Sequence, residues 1–421
     1  WAEEVHVQYV FAPADEVSPP AEARPAEAPQ EPAPPTTVEA RTTAERRVNR
    51  LLHRRWHDSR IGRTFAMLVI DAATGEVISA HNPDQPLRAA SNMKMVTAVN
   101  ALASMGPDKR FSTKVLAGAT SRDVILQGAG DPLLTSSGLQ RLADKTARTL
   151  KRGQRVIVHV DGDLFAPRSK GPGWLNYSVA SVQALARLHD NSKTPSRNAA
   201  NVFASRLRSH GIRATVGANR DAAPDARVLA QAKGHTVAQS LAYMLAYSES
   251  NIAEVLFRQT AIATGHEPTW EGGEQAARAT LASLGLATHD VQLRDGSGLS
   301  RLDRLTPRFL TSMLRVVKVE QPDRFAAMFK KSAMPVAGVS GTLARPYGRY
   351  STRPSRCATG RVQAKTGTLF DTIALSGIAK TNDEGLRIFS FIVNDRPRRY
   401  SPLSTRRAVD GLAATVVGCW K

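Results

Sequence analysis

The two ends of this chain read as parts of one sheet, and that requirement constrains the fold more than any other feature. Residues 64–71 form an almost unbroken apolar run, the turn Ala73-Thr74-Gly75 follows, and residues 77–80 return as a second strand. Near the finish come three more strand-like runs, 360–365, 372–380 and 386–393, with a helix expected from about Pro402. First and last strands can share a sheet only if everything between them leaves it and comes back. The pattern predicts an α+β layer architecture, an antiparallel sheet covered by helices. The chain has 421 residues, too many for one ordinary core, so a second domain is expected.

Residues 116–230 have a different texture. Short runs such as Val156-Ile157-Val158-His159-Val160 alternate with Gly- and Pro-containing loops, and one stretch, 199–210, reads as helix. This segment is expected to be an inserted smaller domain, leaving 43–115 and 231–421 for the main domain. In the main domain a helix is expected to begin near Ser91, with Met95, Val96, Val99 and Leu102 on a helical period, and 236–284 should be largely helical. Residues 1–42 read as a tail or spacer. Pro and Ala dominate 13–35, a composition that favours extended chain. The first 40 residues carry eight acidic side chains and one basic, whereas the whole chain has a net charge of +20. An Arg-rich helix is expected at 43–57. The basic balance points either to an anionic partner or to a solvated basic surface. No zinc-finger spacing, RNA-binding aromatic signature or basic zipper occurs, so no nucleic acid partner is expected.

Three short motifs carry chemistry. In Ser91-Asn92-Met93-Lys94 the spacing of three puts Lys94 within reach of the Ser91 hydroxyl on one helical face. A serine becomes a good nucleophile only when a base takes its proton, and a lysine serves only if its pKa falls toward neutrality, a fall that partial burial and a second cation nearby both promote. In Lys365-Thr366-Gly367-Thr368, Lys365 can supply a cation that keeps Lys94 neutral, and with Thr366 and Thr368 it can hold a carboxylate. Gly367 would leave room for a substrate along the strand edge. Ser248-Glu249-Ser250-Asn251 falls in a helical stretch, where Ser248 can relay a proton. Each motif alone has an ordinary reading: a helix cap, a polar strand end, a polar helix turn. Together and in this order they match the set shared by β-lactamases and penicillin-binding proteins. No cofactor is implied, and no metal-ligand spacing is present.

Further segments make the likeness more specific. Gln127-Gly128-Ala129-Gly130-Asp131-Pro132 looks like the Gly-Gly-Gly-Asp-Pro segment of one family, and Asp295-Gly296-Ser297-Gly298-Leu299-Ser300-Arg301, Leu305-Thr306-Pro307, Pro335-Val336-Ala337-Gly338 and Gly341-Thr342-Leu343 resemble further segments of it. Over residues 62–418 the chain resembles the class C low-molecular-weight penicillin-binding proteins. These are D-alanyl-D-alanine carboxypeptidases and endopeptidases of the penicillin-binding protein 4 type. The resemblance implies a penicillin-recognising, serine transpeptidase-like catalytic domain with an insertion. The gap between the first two motifs looks short for the family's usual two inserted domains. It implies Ser91 as the acylated nucleophile, Lys94 as its base and Ser248 as the relay. Lys365, Thr366 and Thr368 would hold the substrate carboxylate, and the backbone N–H groups of Ser91 and Thr368 would form the oxyanion hole. Substrates would be cell-wall peptides ending in D-Ala-D-Ala, and β-lactams would acylate the same serine. Anionic wall polymer or a membrane surface would then account for the basic charge.

In one place the sequence departs from the family. Aligned on Ala253-Glu254, the second motif has Ser250 where the family has asparagine, and Asn251 comes one residue late. On a helix that is about 100° away. Ser250 and Asn251 are the motif's candidate substrate contacts: the shorter serine is expected to fall short of both the base lysine and the substrate, and Asn251 would be the working asparagine only through a local distortion of the helix. A weakly active wall-binding scaffold and a β-lactamase are the competing readings. The location implied is extracytoplasmic, and a start at Trp1 fits a chain that has lost an export signal or anchor. Neither Cys357 nor Cys419 lies in a Cys-x-x-Cys pair, so the two are expected to form one disulfide in an exported chain.

Overall fold

A computed structural model describes residues 38–165, 170–175 and 182–419. Residues 1–37 of the expected tail lie outside the described residues. Helix α1 (Val38–Arg55) begins earlier than expected, inside the segment read as spacer. The last proline before it is Pro35, so nothing from Thr36 onward blocks helical hydrogen bonds.

Strands β1 (Thr64–Asp71) and β2 (Val77–His81) follow. The apolar run in β1 is continuous because both faces of the strand are covered. Phe65, Met67 and Val69 face one core, which includes Val48 and Leu52 of α1. Ala66, Leu68 and Ile70 face the other, with Val96 and Val99 of α2 (Met93–Met105). Alternate side chains of a strand point to opposite faces, so one sequence run serves two layers. Each large apolar side chain buried this way contributes about 1.5–3 kcal/mol.

The chain then leaves the sheet. After β3 (Arg110–Phe111) it builds β4 (Lys114–Ala117), β5 (Asp123–Gln127), α3 (Ser136–Ala147), β6 (Arg155–Asp161), α4 (Pro195–Ser209), β7 (Arg213–Val216) and β8 (Val228–Gln231). These strands form a second five-stranded sheet in the order β7-β6-β5-β4-β8. Pairs β5–β6 and β6–β7 are parallel, with α3 and α4 as the crossovers. Leu139, Leu142 and Ala143 of α3 and Phe203 and Leu207 of α4 pack with Val124, Leu126, Val156 and Val158 in a separate apolar core.

The short β9 (His235–Thr236) leads back to α5 (Val237–Tyr247), α6 (Ser250–Ala263), α7 (Trp270–Ser283) and α8 (Pro307–Arg315). The expected helical region is real but broken between α5 and α6, so the second motif straddles the break, with Ser250 and Asn251 opening α6. Ser248 caps α5 in the left-handed region, with φ 61° and ψ 34°, and Glu249 is extended. Strands β10 (Val362–Leu369), β11 (Thr372–Lys380) and β12 (Leu386–Asn394) complete the main sheet, whose order is β10-β11-β12-β1-β2. β1 pairs antiparallel with β12, Thr64 opposite Asn394, so the chain's last strand joins its first. Helix α9 (Pro402–Val417) covers the same face as α1, with Val409, Leu412 and Val416 in that core. Cys357 and Cys419 are joined by a disulfide with Cα atoms 6.2 Å apart, tying the end of α9 to the segment before β10. Among the described residues no helix is long and apolar enough to cross a membrane.

Candidate active site

β10 is an edge strand of the main sheet, and the motif residues gather beside it. Ser91 lies in a 3-10 turn, Ala90–Asn92, that runs straight into α2. Ala90 has φ 47°, uncommon for a residue with a side chain. Two glycines make room for this turn. A Cβ on Gly367 of β10 would stand 2.5 Å from the Ala89 carbonyl oxygen, and Asn92 Nδ2 donates to the Lys365 carbonyl at 3.2 Å. Gly367 therefore makes way for the nucleophile turn itself, a role that the sequence did not suggest. Gly298 has φ +80°, and a Cβ there would meet the Ala90 carbonyl oxygen at 1.9 Å.

Lys94 is fully buried. Its Nζ lies 2.8 Å from Ser91 Oγ, 3.2 Å from Ser250 Oγ and 2.9 Å from the Ser297 carbonyl oxygen. Burial pulls the ammonium down to about 8, against the opposing pull of Asp295, Glu254 and Glu249. Of the two causes expected from the sequence, burial and a nearby cation, burial is the one that lowers Lys94. Lys365 is also fully buried and is held well below the usual lysine range by burial and by the charges of Lys94 and Arg349. Its Nζ donates to Ser248 Oγ at 2.9 Å and to the Thr366 carbonyl at 3.0 Å.

The second motif thus divides its hydroxyls between the lysines: Ser248 meets Lys365 and Ser250 meets Lys94. Ser250 was expected to fall short of the base lysine, yet it reaches it. The break between α5 and α6 explains this, because Ser250 opens a new helix instead of continuing the old one. Asn251 is not brought to the lysines. None of the hydrogen bonds of Lys94 or Lys365 goes to it, and it lines a small cavity of about 30 Å³ with Asp131, Arg187 and His189. Thr366 and Thr368 follow Lys365 on β10. Thr366 Oγ1 lies 2.8 Å from Thr342 Oγ1, and Thr368 Oγ1 accepts a hydrogen bond from Arg406 Nε at 3.2 Å.

Several supporting residues were not given roles from sequence. The Asp295 carboxylate accepts from the backbone N–H groups of Ser297 (3.0 Å), Gly298 (2.6 Å) and Ser300 (2.7 Å) and from Trp174 Nε1 (2.7 Å). That holds the loop whose Ser297 carbonyl meets Lys94. Below it, Glu254 accepts from Trp270 Nε1 at 2.7 Å, and burial first and Asp295 second raise its carboxyl to about 8. The glycines of Asp295–Arg301 were the available signal, since a motif glycine marks a close backbone approach. What approaches it, the Ala90 carbonyl, lies too far away in sequence to be read.

A family model described as D-Ala-D-Ala carboxypeptidase 3 (S13) matches residues 48–184 and 178–416. A carboxypeptidase of Mycobacterium tuberculosis is 29% identical over 378 residues, covering 83% of this chain and 79% of the relative. A D-alanyl-D-alanine carboxypeptidase of an Actinomadura species is 25% identical over 446 residues, covering 83% and 80%. In fold the chain is similar to penicillin binding protein 4 of Haemophilus influenzae. That likeness has a TM-score of 0.75 at 19% identity and covers 87% of this chain and 98% of the other. The matched segments span nearly all of the described body and every motif residue, and the chain belongs to the D-Ala-D-Ala carboxypeptidase 3 (S13) family as a serine-type D-Ala-D-Ala carboxypeptidase.

Proposed function

We propose that the chain hydrolyses the D-alanyl-D-alanine bond of peptidoglycan stem peptides through an acyl-enzyme on Ser91, and that β-lactams acylate the same residue. The observation that carries this reading is the set of three contacts at Lys94 Nζ. A neutral amine has two N–H donors and one lone pair. The Ser297 carbonyl and Ser250 Oγ take the two donors, which leaves the lone pair for the Ser91 hydroxyl proton.

In this mechanism Ser91 Oγ attacks the carbonyl carbon of the penultimate residue while its proton passes to Lys94. The backbone N–H groups of Ser91 and Thr368 hold the oxyanion, donors set in place before charge develops. The proton then reaches the departing D-Ala nitrogen, the peptide bond breaks, and the acyl group stays on Ser91 Oγ. The Ser248 hydroxyl beside Lys365 and the Ser250 hydroxyl beside Lys94 are the groups that can carry the proton. Water attacks the ester in the second half-reaction and restores Ser91. Lys365, Thr366 and Thr368 bind the terminal carboxylate. An extracytoplasmic setting suits this substrate, and an anionic wall polymer or membrane surface suits the basic charge. We also propose that 116–230 is an insertion in a catalytic domain made of 43–115 and 231–421, preceded by a spacer.

Labelled benzylpenicillin is expected to attach to Ser91, and peptide mapping of the adduct checks this. A label on Ser248, or none in folded wild-type protein, would sink the reading.

Ser250→Asn is expected to raise peptide turnover. Serine already meets the lysine, but it has no amide N–H to offer the substrate's carbonyl. One such contact is worth about 1–1.5 kcal/mol, roughly five- to tenfold in rate. Asn251→Ala, by contrast, should leave kcat within about twofold. Steady-state rates on a D-Ala-D-Ala peptide decide both, and loss of turnover in Asn251→Ala would return that residue to the site.

A further inference from the structure

The hydroxyl of Thr368 is held from behind. Arg406 of α9 donates Nε to Thr368 Oγ1 at 3.2 Å. A guanidinium can only donate, so Thr368 Oγ1 accepts in this bond, and its own proton remains free for another acceptor. Arg406 is half-buried, and among the described residues no carboxylate forms an ion pair with it. The acid one turn along α9, Asp410, is already engaged by Arg349, with Nε at 2.7 Å from Oδ2 and Nη2 at 2.5 Å from Oδ1. Burial first, then the charges of Arg349 and Arg396, lower the pKa of the Arg406 guanidinium against the opposing pull of Asp410. A half-buried cation whose nearest acid, Asp410, is committed to Arg349, and which is bonded to a hydroxyl at the end of the motif strand, is arranged to receive an anion.

We propose that Arg406 is a positioning residue for the substrate's terminal carboxylate. It fixes Thr368 as a donor toward that carboxylate and supplies a positive charge behind it. The inference rests on the reading that Thr368 meets the carboxylate, and it adds a residue outside the three motifs. Because α9 is held by the Cys357–Cys419 disulfide and the Arg349–Asp410 pair, the charge is held in place before a ligand arrives.

The test compares acylation of the full chain by benzylpenicillin and by its methyl ester, which lacks the anionic carboxylate. In wild type the acid should react faster. Arg406→Gln is expected to lower the acid-to-ester ratio about tenfold or more, the size of a charge-assisted contact. Arg406→Lys, which keeps the charge without the planar fork, should fall between them. Thermal midpoints are read alongside. An equal loss with acid and ester means that Arg406 only supports the fold, and it overturns the inference, as does an unchanged ratio. If neither compound acylates folded wild type, the acyl-enzyme reading fails and the inference with it. If Arg406→Gln does not fold, the Lys variant decides, since it too must lower the ratio.

Discussion

Lys94→Met is expected to lower the rate of Ser91 acylation by about a hundred- to ten-thousand-fold, the range that a positioned general base contributes. Methionine keeps the length and the burial and removes the lone pair 2.8 Å from Ser91 Oγ. The wild-type rate should also depend on pH in a stated direction. Burial lowers Lys94 from 10.5 to about 8, so the neutral form grows as pH rises through that value. At pH 7.5 about a quarter of the amines are neutral, and the acylation rate should climb and then level off above pH 8. The same shift bears on stability with a definite sign. A lysine whose folded pKa is depressed weakens the folded state as pH falls from 10.5 toward 8, because the unfolded chain takes up the proton more readily. Lys94→Met removes that penalty, so its thermal midpoint at pH 7 should not fall even though acylation is lost. Stopped-flow acylation across pH 6–10, with midpoints measured in parallel, tests all of this. If acylation stays within tenfold of wild type, the base is another group, and Lys365 becomes the first candidate.

How much of this could be read beforehand follows from what each residue depends on. The strands at both ends were legible because both faces of the sheet are covered, which leaves continuous apolar runs such as Phe65–Ile70. The order of the three motifs was legible because acyl transfer needs a serine, a lysine and a second cation. Helix α3 was missed: Leu139, Leu142 and Ala143 do have helical spacing, but polar residues surround them. The break at Ser248 was not legible either. Ser-Glu-Ser-Asn contains no glycine or proline, and a serine at φ 61° is held there by its surroundings, not by its own preference. For the same reason the reach of Ser250 was misjudged. A helical register was assumed across a motif that the fold breaks after Ser248. Which of burial and a second cation would dominate the low Lys94 pKa could not be weighed beforehand, because the degree of burial belongs to the folded molecule. Arg406 had no signal at all, since nothing in the order of residues announces that α9 will lie behind Thr368.

Asp410→Ala is expected to cost about 3–5 kcal/mol of folding stability. Asp410 is wholly buried and Arg349 is 4% exposed. Burial opposes the charge on Arg349, yet Asp410 holds its pKa above the usual arginine value through charge and two hydrogen bonds. Taking away the acid leaves a guanidinium buried without a partner, far worse than the loss of an exposed ion pair. The double variant Arg349→Met with Asp410→Leu should recover most of the loss, because no charge is then left inside. Urea unfolding of Asp410→Leu, Arg349→Met and the double variant makes the cycle, with Asp410→Ala measured beside it. A cost below about 1 kcal/mol for Asp410→Ala would mean that water or a rearranged neighbour satisfies Arg349. The consequence reaches the site, since Asp410 lies one turn from Arg406 and Arg349 contributes to holding Lys365 below its ordinary pKa. Acylation of folded Asp410→Ala should therefore change together with its stability, while the double variant should keep the acid-to-ester preference set by Arg406. If the double variant regains stability but loses that preference, the Arg349–Asp410 pair itself is part of how the carboxylate is read.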